Sequence, residues 1–131
     1  MNSTSHSVDQ NRHESGLWFE SETHPGVQFR IRRISLGRRI DLARRIREIG
    51  SRIEFLEAGG TPGEQIEAAV LRGEIDRVYL EWGLEQIDRL EIDGNPSTPK
   101  SLIEYGPLDL TEEILGKIKA ECGLNQAERK N

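Results

Sequence analysis

Two stretches of this chain repeat apolar residues roughly every 3.5 positions, and only a short break separates them. In the first, Leu42, Ile46, Ile49, Ile53 and Leu56 recur at alternating spacings of four and three. In the second, Ala68, Leu71, Ile75, Val78 and Trp82 recur at three and four. Each set forms one stripe on a helix. Between them lies EAGGTPGE. Gly59 can close the first helix in the left-handed conformation. Thr61 can cap the second, with Pro62 in its first position and Glu64 completing a capping box. So short a connection makes the helices antiparallel neighbours. The pattern predicts a long hairpin, with helices over about 35–58 and 62–90. Antiparallel partners keep a constant sum of residue numbers. Leu56–Ala68, Ile53–Leu71, Ile49–Ile75, Ile46–Val78 and Leu42–Trp82 all meet that condition, and Arg39–Glu85 follows as an ion pair at the open end.

The flanking charges fit the same register. Arg38, Arg45 and Arg52 sit at heptad spacing beside the first stripe, and Glu67, Glu74, Glu81 and Asp88 beside the second. A salt-bridge seam of Arg52–Glu74, Arg45–Glu81 and Arg38–Asp88 is expected. Each exposed pair is worth only about 0.2–1 kcal/mol; its effect is to fix orientation and partner. The second helix carries a further apolar stripe of Ile66, Ala69, Val70, Gly73, Leu80, Leu84 and Ile87. It is either internal core, covered by Phe29, Ile31, Leu110, Ile114 and Ile118, or a face for self-association or a partner. In the second case Leu80, Leu84 and Ile87 form the anchor row.

The rest of the chain organises around this hairpin. Residues 1–24 are polar and aperiodic and read as a disordered arm. Residues 25–131 read as a single helical domain. Val27, Phe29 and Ile31 alternate with polar residues, predicting a short strand near 27–31. DGNPST at 93–98 reads as a loop. Two shorter helices follow over about 99–105 and 107–122, each opening on a proline (Pro99, Pro107). Asn125 to Glu128 has a cap-plus-Glu pattern that could start one more turn. The fold class is therefore mainly α.

Charge divides the 131 residues into three blocks. Residues 1–29 are net -3, residues 30–52 carry nine Arg and are net +7, and residues 53–131 are net -9. A basic block points to nucleic acid; a basic block beside an acidic one points equally to pairing within the chain. Arg30, Arg32 and Arg33, with Arg44 and Arg47, lie outside the proposed seam and could contact phosphates. A small nucleic-acid-binding or regulatory module is thus the alternative function. Against it, the helical arginines spread around the helix, no aromatics interleave with them, and no helix-turn-helix is visible.

Signs of chemistry are sparse. His6, His13 and His24 all fall in the polar arm or at its end and read as incidental surface residues. Cys122 lies on the apolar side of the last helix, where a small buried hydrophobe is the simpler reading than a nucleophile activated by Lys119. Gly59, Gly60 and Gly63 precede a helix but lack the lysine and the strand of a phosphate loop. The regular carboxylates belong to the seam. No catalytic residue, cofactor site or metal site is expected, so the protein reads as a non-enzyme. The longest apolar run is the four residues Ala68–Leu71, too short to span a bilayer. One cysteine and no basic–apolar leader fit a cytoplasmic protein.

The C-terminal stretch, about residues 80–131, resembles the small tail assembly chaperones of long-tailed phages and prophages. The likeness rests on Trp82 closing a long helix, then Leu90-Glu91-Ile92-Asp93-Gly94, Pro96, Thr98-Pro99, the pair Leu102-Ile103, Gly106-Pro107, Glu113-Ile114 with Ile118, and the ending Leu124, Glu128, Lys130-Asn131. The resemblance implies a non-catalytic role in the host cytoplasm during tail morphogenesis. Such proteins bind the tape-measure protein and the tail-tube protein before polymerisation, and often have a longer frameshifted form. A tape-measure protein is largely amphipathic helix, so helix-in-groove recognition is the expected physics. On this reading Leu80, Leu84, Ile87, Arg44 and Arg47 are the candidate partner-binding residues. A homo-oligomer is also open; neither membrane nor nucleic acid is expected as a partner.

Overall fold

The computed structural model describes residues 16–123. It is mainly helical, with two long helices packed together, two shorter C-terminal helices and a small antiparallel sheet. In chain order the elements are β1 (Leu17–Glu20), β2 (Gln28–Ile31), α1 (Leu36–Gly59), α2 (Pro62–Gly83), β3 (Leu84–Asp88), β4 (Glu91–Ile92), β5 (Asn95–Pro96), α3 (Pro99–Tyr105) and α4 (Leu108–Cys122). They fall into two compact units, residues 34–79 and residues 16–33 with 80–123. No helix among the described residues is long and apolar enough to cross a membrane.

The first unit is the helical hairpin. Ser35 caps α1, its hydroxyl accepting the Arg38 N–H at 3.2 Å. The helix runs one residue past its expected end. Gly60, at φ +76°, takes the left-handed position expected of Gly59, and its N–H reaches the Leu56 carbonyl. At the start of α2 the capping box is complete: the Thr61 hydroxyl accepts the Glu64 N–H, and the Glu64 carboxylate accepts the Thr61 N–H, both at 3.1 Å. Hydrogen bonds from the Thr61 backbone and then its hydroxyl hold the Glu64 carboxyl below its ordinary range. Ile53, Ala68 and Leu71 form the buried centre, with Ile49, Leu56 and Ile75 packed against it. These are three of the five layers that the antiparallel register pairs.

The second unit is a three-stranded antiparallel sheet in the order β1-β2-β3, backed by α3 and α4. Phe29 and Ile31 on β2 and Leu84 and Ile87 on β3 point into a core completed by Leu102, Leu110, Ile114, Ile118 and Cys122. The last four recur every fourth residue along α4 and make its buried stripe. Phe19 stacks on Phe29, with ring centroids 5.7 Å apart. Strand β1 lies inside the segment expected to be a disordered arm, so the arm reading fails for residues 17–24; residues 1–15, with His6 and His13, lie outside the described residues. The extra turn expected at Asn125–Glu128 also lies outside them.

The expected helix over 62–90 stops at Gly83, and the chain continues as β3. Two interactions end it. The Arg32 N–H donates to the Gly83 carbonyl at 2.8 Å, and the Arg32 Nε donates to the Trp82 carbonyl at 2.9 Å. The exit of β2 thus takes two of the carbonyls that a helix end leaves unpaired. Gly83 also allows close approach: a Cβ there would lie 2.7 Å from Cγ2 of Ile118. The expected 93–98 loop supplies the turn and second strand of a miniature hairpin, β4 with β5, whose turn is Asp93 (φ +54°) and Gly94 (φ +80°). Two consecutive positive φ values are the signature that Asp-Gly serves in tight hairpins.

Candidate functional site

Correcting the end of α2 changes the partner-binding row. Leu84 and Ile87 are strand residues, and Leu80, Leu84 and Ile87 are only 4%, 4% and 5% exposed. They belong to the sheet core, as the internal-core alternative holds, and cannot serve as an anchor row in the folded protein. Farther back on the same sequence stripe, Ile66 and Val70 are exposed. The stripe is therefore two different surfaces, one buried and one open.

The charged seam is also rearranged. Asp88 sits on β3, outside any helical register, and accepts a hydrogen bond from Gln86 at 3.0 Å. Glu74 lies 3.9 Å from Arg77 on its own helix, not against Arg52, and Arg72 forms a cross-helix pair with Glu57 within the hairpin. Glu81 is exposed on the last turn of α2. Arg38, Arg45 and Arg52 are exposed and make no ion pair among the described residues. The physical reason is that exposed pairs gain too little to hold two long side chains in one geometry. Arg44 is exposed and lies 3.8 Å from Asp41; Arg47 is exposed as well.

Glu85, expected to meet Arg39, lies instead between two strand arginines. Its carboxylate is 3.1 Å from Arg30 Nε and 3.2 Å from an Arg32 terminal nitrogen, with its side chain only 11% exposed. A β-bulge makes this possible. Arg30 pairs with Gln86 and Ile31 with Leu84, so Glu85 is the extra residue. The Arg30 guanidinium also lies 5.5 Å from the Trp18 ring centroid, within cation–π range. Arg30 and Arg32 are thereby committed to the fold and are not available as phosphate contacts.

A second polar cluster, not anticipated from sequence, ties the β1–β2 turn to α4. The Glu113 carboxylate accepts from the Ser21 hydroxyl (2.7 Å), the Glu22 N–H (2.7 Å), the Thr23 hydroxyl (2.8 Å) and the Thr23 N–H (3.4 Å). Partial burial pushes this carboxyl up, but the hydrogen bonds together outweigh it and the net direction is down. One turn earlier on α4, Asp109 lies 2.9 Å from His24 Nε2. That hydrogen bond is the main reason the Asp109 carboxyl is lowered, burial working against it and the Leu110 N–H adding to it. His24 is thus a half-buried tie and not an incidental surface residue. Its side-chain partner, Asp109, lies 85 residues away, a separation that no local pattern reports. Cys122 is buried at the end of α4.

No group of three or more His, Cys, Asp or Glu side chains among the described residues is placed to hold a metal ion. The outside of the hairpin presents one face open to a partner. On α1, Leu36 (74% exposed), Ile40 (47%), Arg44 and Arg47 fall within roughly 80° of the helix circumference, opposite the buried seam. No family model matches the chain, nor does any curated protein or solved structure show significant similarity to it.

Proposed function

We propose that the protein is a non-catalytic tail assembly chaperone or adaptor of a phage or prophage, acting in the host cytoplasm and binding tape-measure and tail-tube proteins during tail morphogenesis. The resemblance of the C-terminal half supports the class of role. The observation that carries the proposal is the open face of α1. Leu36 and Ile40, one turn apart, offer apolar anchors, and Arg44 and Arg47 beside them offer cations to the acidic flank of an amphipathic helix. Anchors at i and i+4 with charges at i+8 and i+11 are what a partner helix reads when it lies along another helix. The partner-binding residues are therefore Arg44 and Arg47, as in the sequence reading, with Leu36 and Ile40 in place of the buried Leu80, Leu84 and Ile87. Co-expression with the tape-measure and tail-tube proteins of the same genome tests this. The protein should co-purify with at least one of them. Ile40→Glu combined with Arg44→Glu should abolish capture while the far-UV circular dichroism stays unchanged. Failure of the unmutated protein to capture either one would overturn the proposal.

The alternative, a nucleic-acid module, draws on Arg38, Arg45, Arg47 and Arg52 all being exposed without ion pairs among the described residues. It requires binding to duplex at physiological salt that varies with sequence; weak, salt-sensitive binding alone would leave the adaptor as the better account.

A further inference from the structure

One broad face of the hairpin carries both of its charge rows. Arg45 and Arg52 flank the seam on α1, and Glu67 and Glu74 flank it on α2, all exposed. Antiparallel helices bring these flanking positions to the same side, yet among the described residues Arg45 and Arg52 take no ion pair, and Glu74 has a 3.9 Å contact along its own helix. On the same face, near the interhelix turn, Phe55 is 76% exposed and Val70 53% exposed. They stand at the same height along the hairpin, because their numbers nearly satisfy the constant-sum condition of the seam. Ser51, Arg52, Phe55, Leu56 and Glu67 line a shallow groove at that level.

We propose that this face binds a second copy of the chain. The argument is charge complementarity with one symmetry operation. A two-fold axis parallel to the helices lays α1 of each copy on α2 of the other. Arg52 then meets Glu74 of the second copy, and Phe55 meets its Val70, each contact occurring twice. The perpendicular two-fold axis would set the arginine rows against one another, so the charges select a single arrangement. The apolar pair supplies the area that exposed ion pairs cannot, and the charges fix the register. The Arg45 and Arg52 row lies on a different side of α1 from Leu36, Ile40, Arg44 and Arg47, with Phe55 between the two faces, and the charge pairing of the dimer does not depend on the tail-assembly reading.

Sedimentation velocity of the full chain, from about 1 to 100 µM, is the primary test. A dimer of the 14.9 kDa chain is expected in the upper part of that range; a monomer throughout overturns the proposal. Two charge-reversed chains give the second test, Arg45→Glu with Arg52→Glu in one and Glu67→Arg with Glu74→Arg in the other. Each alone should dimerise at least tenfold more weakly. Mixed in equal amounts, they should restore a dimer containing one copy of each. Phe55→Glu, at a site open in the single chain, should weaken the dimer without changing the helical signal. A dimer that survives both reversals and Phe55→Glu uses another face and would equally overturn the proposal.

Discussion

Leu84→Glu separates the two halves of the apolar stripe on the second half of the chain. Leu84 is 4% exposed on β3, within the sheet core that also contains Ile31 and Ile87. Truncating such a residue to Ala costs about 2–5 kcal/mol. A carboxylate at the same place adds a desolvation cost of several kcal/mol, or else takes up a proton to avoid it. Together these rival the whole stability of a domain, about 5–15 kcal/mol. Ile66→Glu is the internal control, because Ile66 belongs to the same sequence stripe but is 67% exposed on α2. Its cost should stay within about 0.5 kcal/mol. Urea unfolding followed by far-UV circular dichroism and tryptophan fluorescence measures both. Trp18 and Trp82, the two tryptophans, both lie in the sheet-bearing unit, so fluorescence reports there. Leu84→Glu should leave the unit unfolded, or with a midpoint far below that of the unmutated chain, while Ile66→Glu tracks it. An unchanged midpoint for Leu84→Glu, or equal damage from Ile66→Glu, would refute the division of the stripe.

Gly83→Ala should destabilise by about 1–3 kcal/mol through overpacking against Ile118, and the loss should shrink in an Ile118→Ala background, read as a double-mutant cycle in urea. Glu113 and Asp109 both have carboxyls lowered in the folded protein, so the stability they contribute is present above the ordinary carboxylate range, near pH 4, and is lost as pH falls through their folded values. Glu113→Ala should therefore cost about 1 kcal/mol at neutral pH and flatten the acid limb of a stability-against-pH curve; an acid limb identical to that of the parent would remove the turn-clasping role. Duplex DNA binding, measured by fluorescence anisotropy across a salt series, should have a log–log slope no steeper than about -3. Arg47 lies about 160° around α1 from the Arg38, Arg45 and Arg52 row, so few of these side chains reach one backbone together; a slope near -6 would contradict that.

The hairpin was legible because its information is local. Heptads, a capping box and a short turn each specify their own geometry, and their agreement fixed the pairing of Ile49, Ile53 and Leu56 with Ile75, Leu71 and Ala68. Strand β3 was not legible, for a specific reason. Leu84 and Ile87 face the same core three residues apart, a spacing that a regular strand forbids and a helix favours. The bulge at Glu85 supplies the extra residue that brings them to one side. A bulged strand following directly on a helix thus continues a helical hydrophobic pattern. Gly83 was the available signal of the break, and Asp93-Gly94 that of the hairpin inside the expected loop. The candidate site fared less well than the fold. Exposed charged pairs are decided by tenths of a kcal/mol, which heptad position does not resolve, and the clasp of Glu113 on the β1–β2 turn joins residues about 90 positions apart.

The arginine block shows how far composition can mislead about a surface. In sequence it is one feature, nine arginines in residues 30–52. In the fold it is divided. Arg30 and Arg32 surround Glu85 in the sheet-bearing unit, and Arg32 also receives the end of α2. Arg44 stands near Asp41, and Arg38, Arg45, Arg47 and Arg52 project from α1 without an ion pair among the described residues. Their counterparts Glu67 and Glu74 project from the neighbouring helix. The hairpin therefore presents adjacent rows of opposite sign, not one positive field. A polyanion meets repulsion from α2 wherever it spreads beyond α1. A partner that itself carries a positive and a negative row, whether an amphipathic helix or a second copy of this chain, gains on both rows. The geometry thus favours helical proteins over nucleic acid for the same residues that, read as a block, point the other way.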